Sequence, residues 1–158
     1  MTNFDPRIHH RRSIRLPGYD YSEGGAYFVT TNTHGWLPLF GEIRNSEMIL
    51  SRFGKILHYT LLDLPRRYPH IILDTFCIMP DHLHALIILD YNETDKRYPL
   101  SEIVRALKSH SSRRINELRK MPGINVWQRN YYEHIVRGDA DFARIQNYIL
   151  NNPLNWKK

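Results

Sequence analysis

Two histidines stand one residue apart in Met79-Pro80-Asp81-His82-Leu83-His84, which runs straight into the apolar stretch Ala85-Leu86-Ile87-Ile88-Leu89. Side chains in an extended strand alternate between faces, so both imidazoles share one face and Leu83 takes the other. A pair so placed can chelate one divalent ion without straining the backbone. The chain has nine histidines, so close pairs also arise by chance and the spacing alone leaves metal binding open. Farther on, Tyr148 and Asn152 are four residues apart in a segment of helical pattern that ends at Pro153. With about 3.6 residues per turn they share a face, at the flank of the apolar stripe Phe142, Ile145 and Ile149. That arrangement offers a phenol and an amide to a common site. The alternative is a boundary aromatic with its hydroxyl in water and an asparagine that caps the helix C-terminus.

The surrounding sequence shows what must position these groups. Ala26–Thr33, rich in β-branched and aromatic residues, reads as a first strand. Leu39–Leu50 reads as a small hairpin about Asn45-Ser46. A helix is expected from Ser51, its N-cap, with Phe53, Ile56, Leu57, Leu61 and Leu64 as apolar face; Pro65 and Pro69 predict a stop near Leu64. Ile71–Ile78 and His82–Leu89 form two strands of a hairpin turned by Met79-Pro80-Asp81. After a loop over 92–99, a second helix runs from Leu100 to about Lys120, with Ser101 near its cap and a stripe of Leu100, Ile103, Val104, Leu107, Ile115 and Leu118. Val126–Val136 reads as a fourth strand, and Gly138-Asp139 opens a last helix reaching about Asn151. Apart from the small hairpin and last helix, the order is β-α-β-β-α-β, the ferredoxin-like arrangement. The expected fold is α+β: a two-layer sandwich of antiparallel sheet and two helices, with an extra C-terminal helix and an accessory hairpin. Residues 27–158 form one domain behind a basic arm at 1–26.

The length of 158 residues suits one core, and 42% hydrophobic with 24% charged residues is the balance of an ordinary folded chain. The longest apolar run, Ala85–Leu89, is far short of the ~20 residues of a membrane span. A single cysteine, Cys77, permits no internal disulfide, and the start of the chain lacks the layout of a secretory signal, so a cytoplasmic location is expected. Twenty-two Lys and Arg against 16 acidic residues give +6, which suits a polyanionic partner. Candidate contacts are Arg11, Arg12 and Arg15 in the arm, and Arg105, Lys108, Arg113 and Arg114 on the second helix, beside Arg119 and Lys120. A merely solvated helical face accounts for the latter equally well. Tyr131 and Tyr132, near Trp127 and Arg129, are candidates to stack on unpaired bases, or else belong to the core. His134 reads as a satisfied strand histidine rather than a ligand.

Together these pieces resemble the single-tyrosine transposases of the HUH type, and within them the REP-associated tyrosine transposases. The resemblance rests on Tyr27-Phe28-Val29-Thr30, Met79-Pro80-Asp81-His82-Leu83-His84, Val126-Trp127-Gln128-Arg129-Asn130-Tyr131-Tyr132 and Tyr148-Ile149-Leu150-Asn151-Asn152-Pro153. They occur in the family's order and span roughly residues 14 to 156. The resemblance implies that His82 and His84 hold a divalent ion, magnesium or manganese, and that Tyr148 is the nucleophile. It also makes Asn152 the third metal ligand, where many relatives have Gln; Asn is one methylene shorter, and Pro153 disfavours a helical conformation at residue 152. Two imidazoles and an amide suit manganese somewhat better than magnesium. The implied substrate is single-stranded DNA with a hairpin beside the cleavage point, cut and rejoined through a covalent phosphotyrosine. Family members act as monomers or as homodimers. No Gly-x-x-x-x-Gly-Lys phosphate loop is present, in keeping with chemistry that conserves bond energy in the protein–DNA link.

Three rivals are to be weighed. A His-x-His-x-His nucleotide hydrolase fails because the third position is Leu86. A zinc hydrolase needs further ligands, for which only residues such as Asp90 and His134 are at hand. A non-catalytic DNA-binding relative would keep the fold and charge without turnover.

Overall fold

The structure, a computed structural model, describes residues 24–90 and 96–157. Arg11, Arg12 and Arg15, and nearly all of the basic arm expected at 1–26, lie outside the described residues. Six strands and three helices follow one another as β1 (Gly25–Asn32), β2 (Gly41–Arg44), β3 (Glu47–Leu50), α1 (Arg52–Arg67), β4 (Ile71–Ile78), β5 (His82–Leu89), α2 (Leu100–Arg119), β6 (Tyr132–Ile135) and α3 (Gly138–Leu150). Among the described residues no helix is long and apolar enough to cross a membrane.

The main sheet has the order β4-β5-β1-β6, with every neighbouring pair antiparallel. β1 and β4 therefore run parallel with β5 between them, which is the split βαβ arrangement of the ferredoxin-like fold. β2 and β3 form the separate hairpin. Its turn residues Asn45 and Ser46 both have positive φ, 52° and 62°, as a two-residue turn that matches strand twist requires.

Side-chain parity decides which face each strand residue serves. Tyr27 and Val29 of β1 and Leu83, Ala85, Ile87 and Leu89 of β5 are buried in one cluster with Leu57, Leu61 and Leu64 of α1 and Leu100, Ile103, Val104 and Leu107 of α2. The other parity, Phe28 and Leu86, packs against Ile145 and Ile149 of α3. His82 and His84 have the parity of Leu86, so they open toward α3 and away from α1 and α2. The last helix thus adds a partial third layer over the face that a two-layer sandwich leaves bare.

Several boundaries depart from expectation for local reasons. Ser51 caps α1 as expected, its Oγ accepting from Gly54 N–H at 3.1 Å. The helix nevertheless passes Pro65: only the bond from that residue to Leu61 is lost, and Tyr68 N–H still reaches Leu64 O at 2.8 Å. The N-cap of α2 is Pro99, with Ser101 inside the helix. Leu118, expected on the buried stripe, is exposed. Buried Ser111 takes part instead, accepting from Trp127 Nε1–H at 2.9 Å while its hydroxyl donates to Leu107 O. The expected fourth strand is interrupted: Trp127 bridges antiparallel to Thr33 and Gln128 N–H bonds Asn32 O at 2.9 Å, the carbonyls of Gln128 and Asn130 then turn to Lys108 Nζ of α2 at 2.8 and 2.9 Å, and regular pairing resumes only at Tyr132–Ile135.

Candidate active site

His82 opens β5 and lies opposite Asn32 in the register; His84 lies opposite Thr30. The imidazole centroids are 4.6 Å apart, with the rings crossed at 70°. Each Nδ1 has a partner at 2.7 Å, Asp81 Oδ1 for His82 and Thr30 Oγ1 for His84. The Asp81 carboxylate accepts, so His82 carries its proton on Nδ1 and presents a lone pair on Nε2. A Thr30 hydroxyl that accepts in the same way leaves His84 in the matching tautomer. Metal-bound histidines are commonly steadied by such outer contacts. Burial, and then the neighbouring His82, push the His84 pKa down to about 3. Its imidazole is therefore neutral near pH 7 and has no proton to shed before binding a cation. Donor type, neutrality and supporting contacts fit a divalent ion.

Tyr148 reaches this pair from α3. Its ring centroid is 5.3 Å from that of His84 and 5.9 Å from that of Phe28, and the residue is 50% exposed. Packing of Ile145 and Ile149 on Phe28 and Leu86 fixes the helix so that this flank overlooks the histidines. Phenol and imidazoles, 64 residues apart in sequence (148 − 84), thus meet on one face of the sheet.

Asn152 adopts a helical conformation, φ −60° and ψ −43°, contrary to the restriction expected before Pro153. It starts the 3₁₀ turn Pro153–Asn155, whose Asn155 N–H bonds back to Asn152 O at 3.1 Å. One more residue brings the Trp156 ring within 6.0 Å of His82. Among the described residues no group of three or more His, Cys, Asp and Glu is placed to hold a metal. Asp90 lies beyond the far end of β5, its N–H bonded to His70 O. His134 Nε2 is 2.8 Å from Asp141 Oδ2. The zinc-hydrolase rival therefore loses its extra ligands.

A cavity of about 390 Å³ adjoins Tyr148 and His84. Thr30 and Phe28 from β1, Tyr132 and His134 from β6, and Arg144 and Ile145 from α3 complete its walls. Sequence reasoning missed Thr30, Asp81, Phe28 and Arg144 as parts of the site. The signals were the spacing of Arg144, one turn before Tyr148, and the place of Asp81, Phe28 and Thr30 inside the motifs that carry the resemblance.

The expected DNA contacts divide. Tyr132 faces the cavity, whereas Tyr131, the next residue, packs against the core on the α2 side, beneath Lys108 Nζ at 5.8 Å from its ring centroid. Trp127 is core, its ring tilted at 42° to that of Phe40 with centroids 5.0 Å apart. Arg113 and Arg114 line a groove of about 590 Å³ between α1 and α2, with Arg66 and Arg67. Arg105 bonds Glu102 one turn away, and with Arg129 borders a groove of about 500 Å³ along α2. These basic side chains belong to the α1/α2 layer, across the sheet from Tyr148, and the fold does not bring them to the histidines.

The sequence profile described as "Transposase IS200 like" matches residues 44–152. An uncharacterized protein of Haemophilus influenzae is 35% identical over 177 residues, spanning 99% of this chain and 96% of its own length. The REP-associated tyrosine transposase of Escherichia coli K12 is 23% identical over 140 residues, 87% of this chain and 73% of that protein. A solved REP-associated tyrosine transposase bound to a REP hairpin superposes with a TM-score of 0.62 at 20% identity, covering 89% of this chain and 73% of the other.

Proposed function

Because this chain belongs to the IS200-like transposases, we propose that it cleaves and rejoins hairpin-bearing single-stranded DNA with Tyr148 as nucleophile. The carrying observation is the 5.3 Å approach of the Tyr148 ring to His84. His82 and His84, with Asn152 as third donor, would hold a magnesium or manganese ion, and such an ion would supply positive charge to neutralise a nonbridging phosphate oxygen and lower the barrier to attack. Asp81 and Thr30 keep the two imidazoles in the tautomer and orientation that face it. Tyr148 Oη forms a bond to phosphorus, the bond from phosphorus to the 3′-oxygen breaks, the phenol gives up its proton and the 3′-oxygen takes one up. A 3′-hydroxyl then attacks the phosphotyrosine and restores a phosphodiester, so no external energy source is required. The hairpin is carried over from the solved relative, which is bound to one.

The test is to incubate the protein with manganese and a labelled pool of hairpin-bearing single strands, then denature it. A covalent adduct is expected from the wild-type chain and not from Tyr148→Phe. His82→Ala with His84→Ala should abolish the adduct and leave most DNA affinity in place. Tight binding without an adduct under all metal conditions refutes the reaction and leaves a DNA-binding module.

A further inference from the structure

The cavity beside Tyr148 is larger than a phosphate requires, and its walls are of two chemical kinds. Tyr132 and Tyr148 stand on the Phe28 ring, crossing it at 71° and 89° with centroids 6.2 and 5.9 Å away. Both tyrosines are about half exposed, at 52% and 50%, so their ring faces are open to a visitor. Arg144 and His134 supply the polar wall. Asp141 holds both: one carboxylate oxygen accepts from Arg144 and the other from His134 and from the Arg137 N–H. Those contacts keep the Asp141 carboxyl well below the usual carboxylate range, the His134 bond contributing most. A guanidinium has five N–H donors, so Arg144 pinned by one of them retains others for an anion. Strand parity places Tyr132 and His134 on one face, opposite Thr30 and Phe28 of β1. The volume, about 390 Å³, is at the lower end for sites that enclose a small organic molecule.

We propose that this cavity seats one unpaired nucleotide next to the bond that Tyr148 attacks, with its base on Tyr132 and its phosphate at Arg144. The assignment rests on the reaction proposed above for its placement in the DNA, and on the cavity's own walls for its chemistry. Aromatic faces take any base by stacking, so the seat fixes the position of the strand rather than reading its sequence.

The test uses Tyr148→Phe, which keeps the ring and cannot react. The probes are hairpin-bearing single strands carrying the fluorescent base 2-aminopurine at one unpaired position at a time. At one position binding should quench the fluorescence. Tyr132→Leu in the same background should abolish that quenching and weaken binding by roughly five- to a hundredfold, while Tyr132→Trp retains both. Arg144→Gln should lower the slope of log affinity against log salt by about 0.7, one phosphate contact on a single strand. Equal quenching in Tyr132→Leu and its parent overturns the seat, even where the wild-type chain forms its covalent adduct. Tyr132-dependent quenching in a protein whose wild type forms no adduct supports the seat and refutes the reaction instead.

Discussion

Replacing Lys108 by Met should destabilise the fold rather than merely weaken DNA binding. Its Nζ donates to Gln128 O at 2.8 Å and Asn130 O at 2.9 Å, tying α2 to the segment that leads into β6. A hydrogen bond from a charged group contributes about 1.5–3 kcal/mol. The Gln128 bond is partly buried, so its carbonyl would be left poorly hydrated; the Asn130 bond is exposed and that carbonyl returns to water at little cost. The Tyr131 ring beneath the ammonium adds roughly 0.5–1 kcal/mol. Burial of the charge opposes these gains and pushes the Lys108 pKa down to about 8. The net expectation for Lys108→Met, which keeps most of the stem, is a loss of about 1–2 kcal/mol, chiefly from the Gln128 carbonyl left without its donor. Urea unfolding should show a lower midpoint at unchanged slope, and hydrogen exchange should show faster amides in and just before β6. Arg113→Ala, at an exposed position of the same helix, should stay within about 0.5 kcal/mol of wild type. A Lys108→Met protein of undiminished stability, with β6 protection intact and DNA affinity alone reduced, would refute this reasoning and restore Lys108 as a phosphate contact.

Asp81→Asn should weaken manganese binding by roughly ten- to a hundredfold, read by calorimetric titration, because the replacement keeps the shape but loses the carboxylate that fixes the His82 tautomer. Unchanged affinity removes Asp81 from the site. In metal-free buffer, His84 protonates in the unfolded chain near 6.5 but in the folded one only near 3. The unfolded state therefore takes up the proton first on acidification, so stability falls as pH drops from about 6.5 toward 3, by roughly 3 kcal/mol at pH 4. His84→Phe should flatten that part of the profile, and a parallel profile would show the histidine to be solvated.

Much of this architecture could be read from periodicity. β4 and β5 occupy Ile71–Ile78 and His82–Leu89 as the sequence predicts, because a Pro-Asp turn separates two largely apolar, β-prone runs. The shared face of His82 and His84 follows from parity alone. What parity does not carry is the partner across the sheet. Thr30 supports His84 only because β1 pairs with β5 in one particular register, and nothing local to either strand specifies it. The basic residues of α2 illustrate the same limit. Their spacing shows that they point away from core residues such as Ile103 and Leu107, but which face of the sheet that core occupies is a property of the whole topology. Lys108 was legible as a cation and not as a staple, since its acceptors are backbone carbonyls twenty and more residues away. Pro65 shows the converse error: a local rule for stopping a helix gave way where one lost hydrogen bond was outweighed by the burial of Leu57, Leu61 and Leu64.

The most direct measurement is to digest the denatured protein–DNA adduct and locate the nucleotide-bearing residue by mass spectrometry. Two half-exposed tyrosines, Tyr148 and Tyr132, line the same cavity, so the chemistry has a built-in competitor. The nucleotide mass is predicted on Tyr148 alone. Its appearance on Tyr132, or on any other side chain, contradicts the assignment.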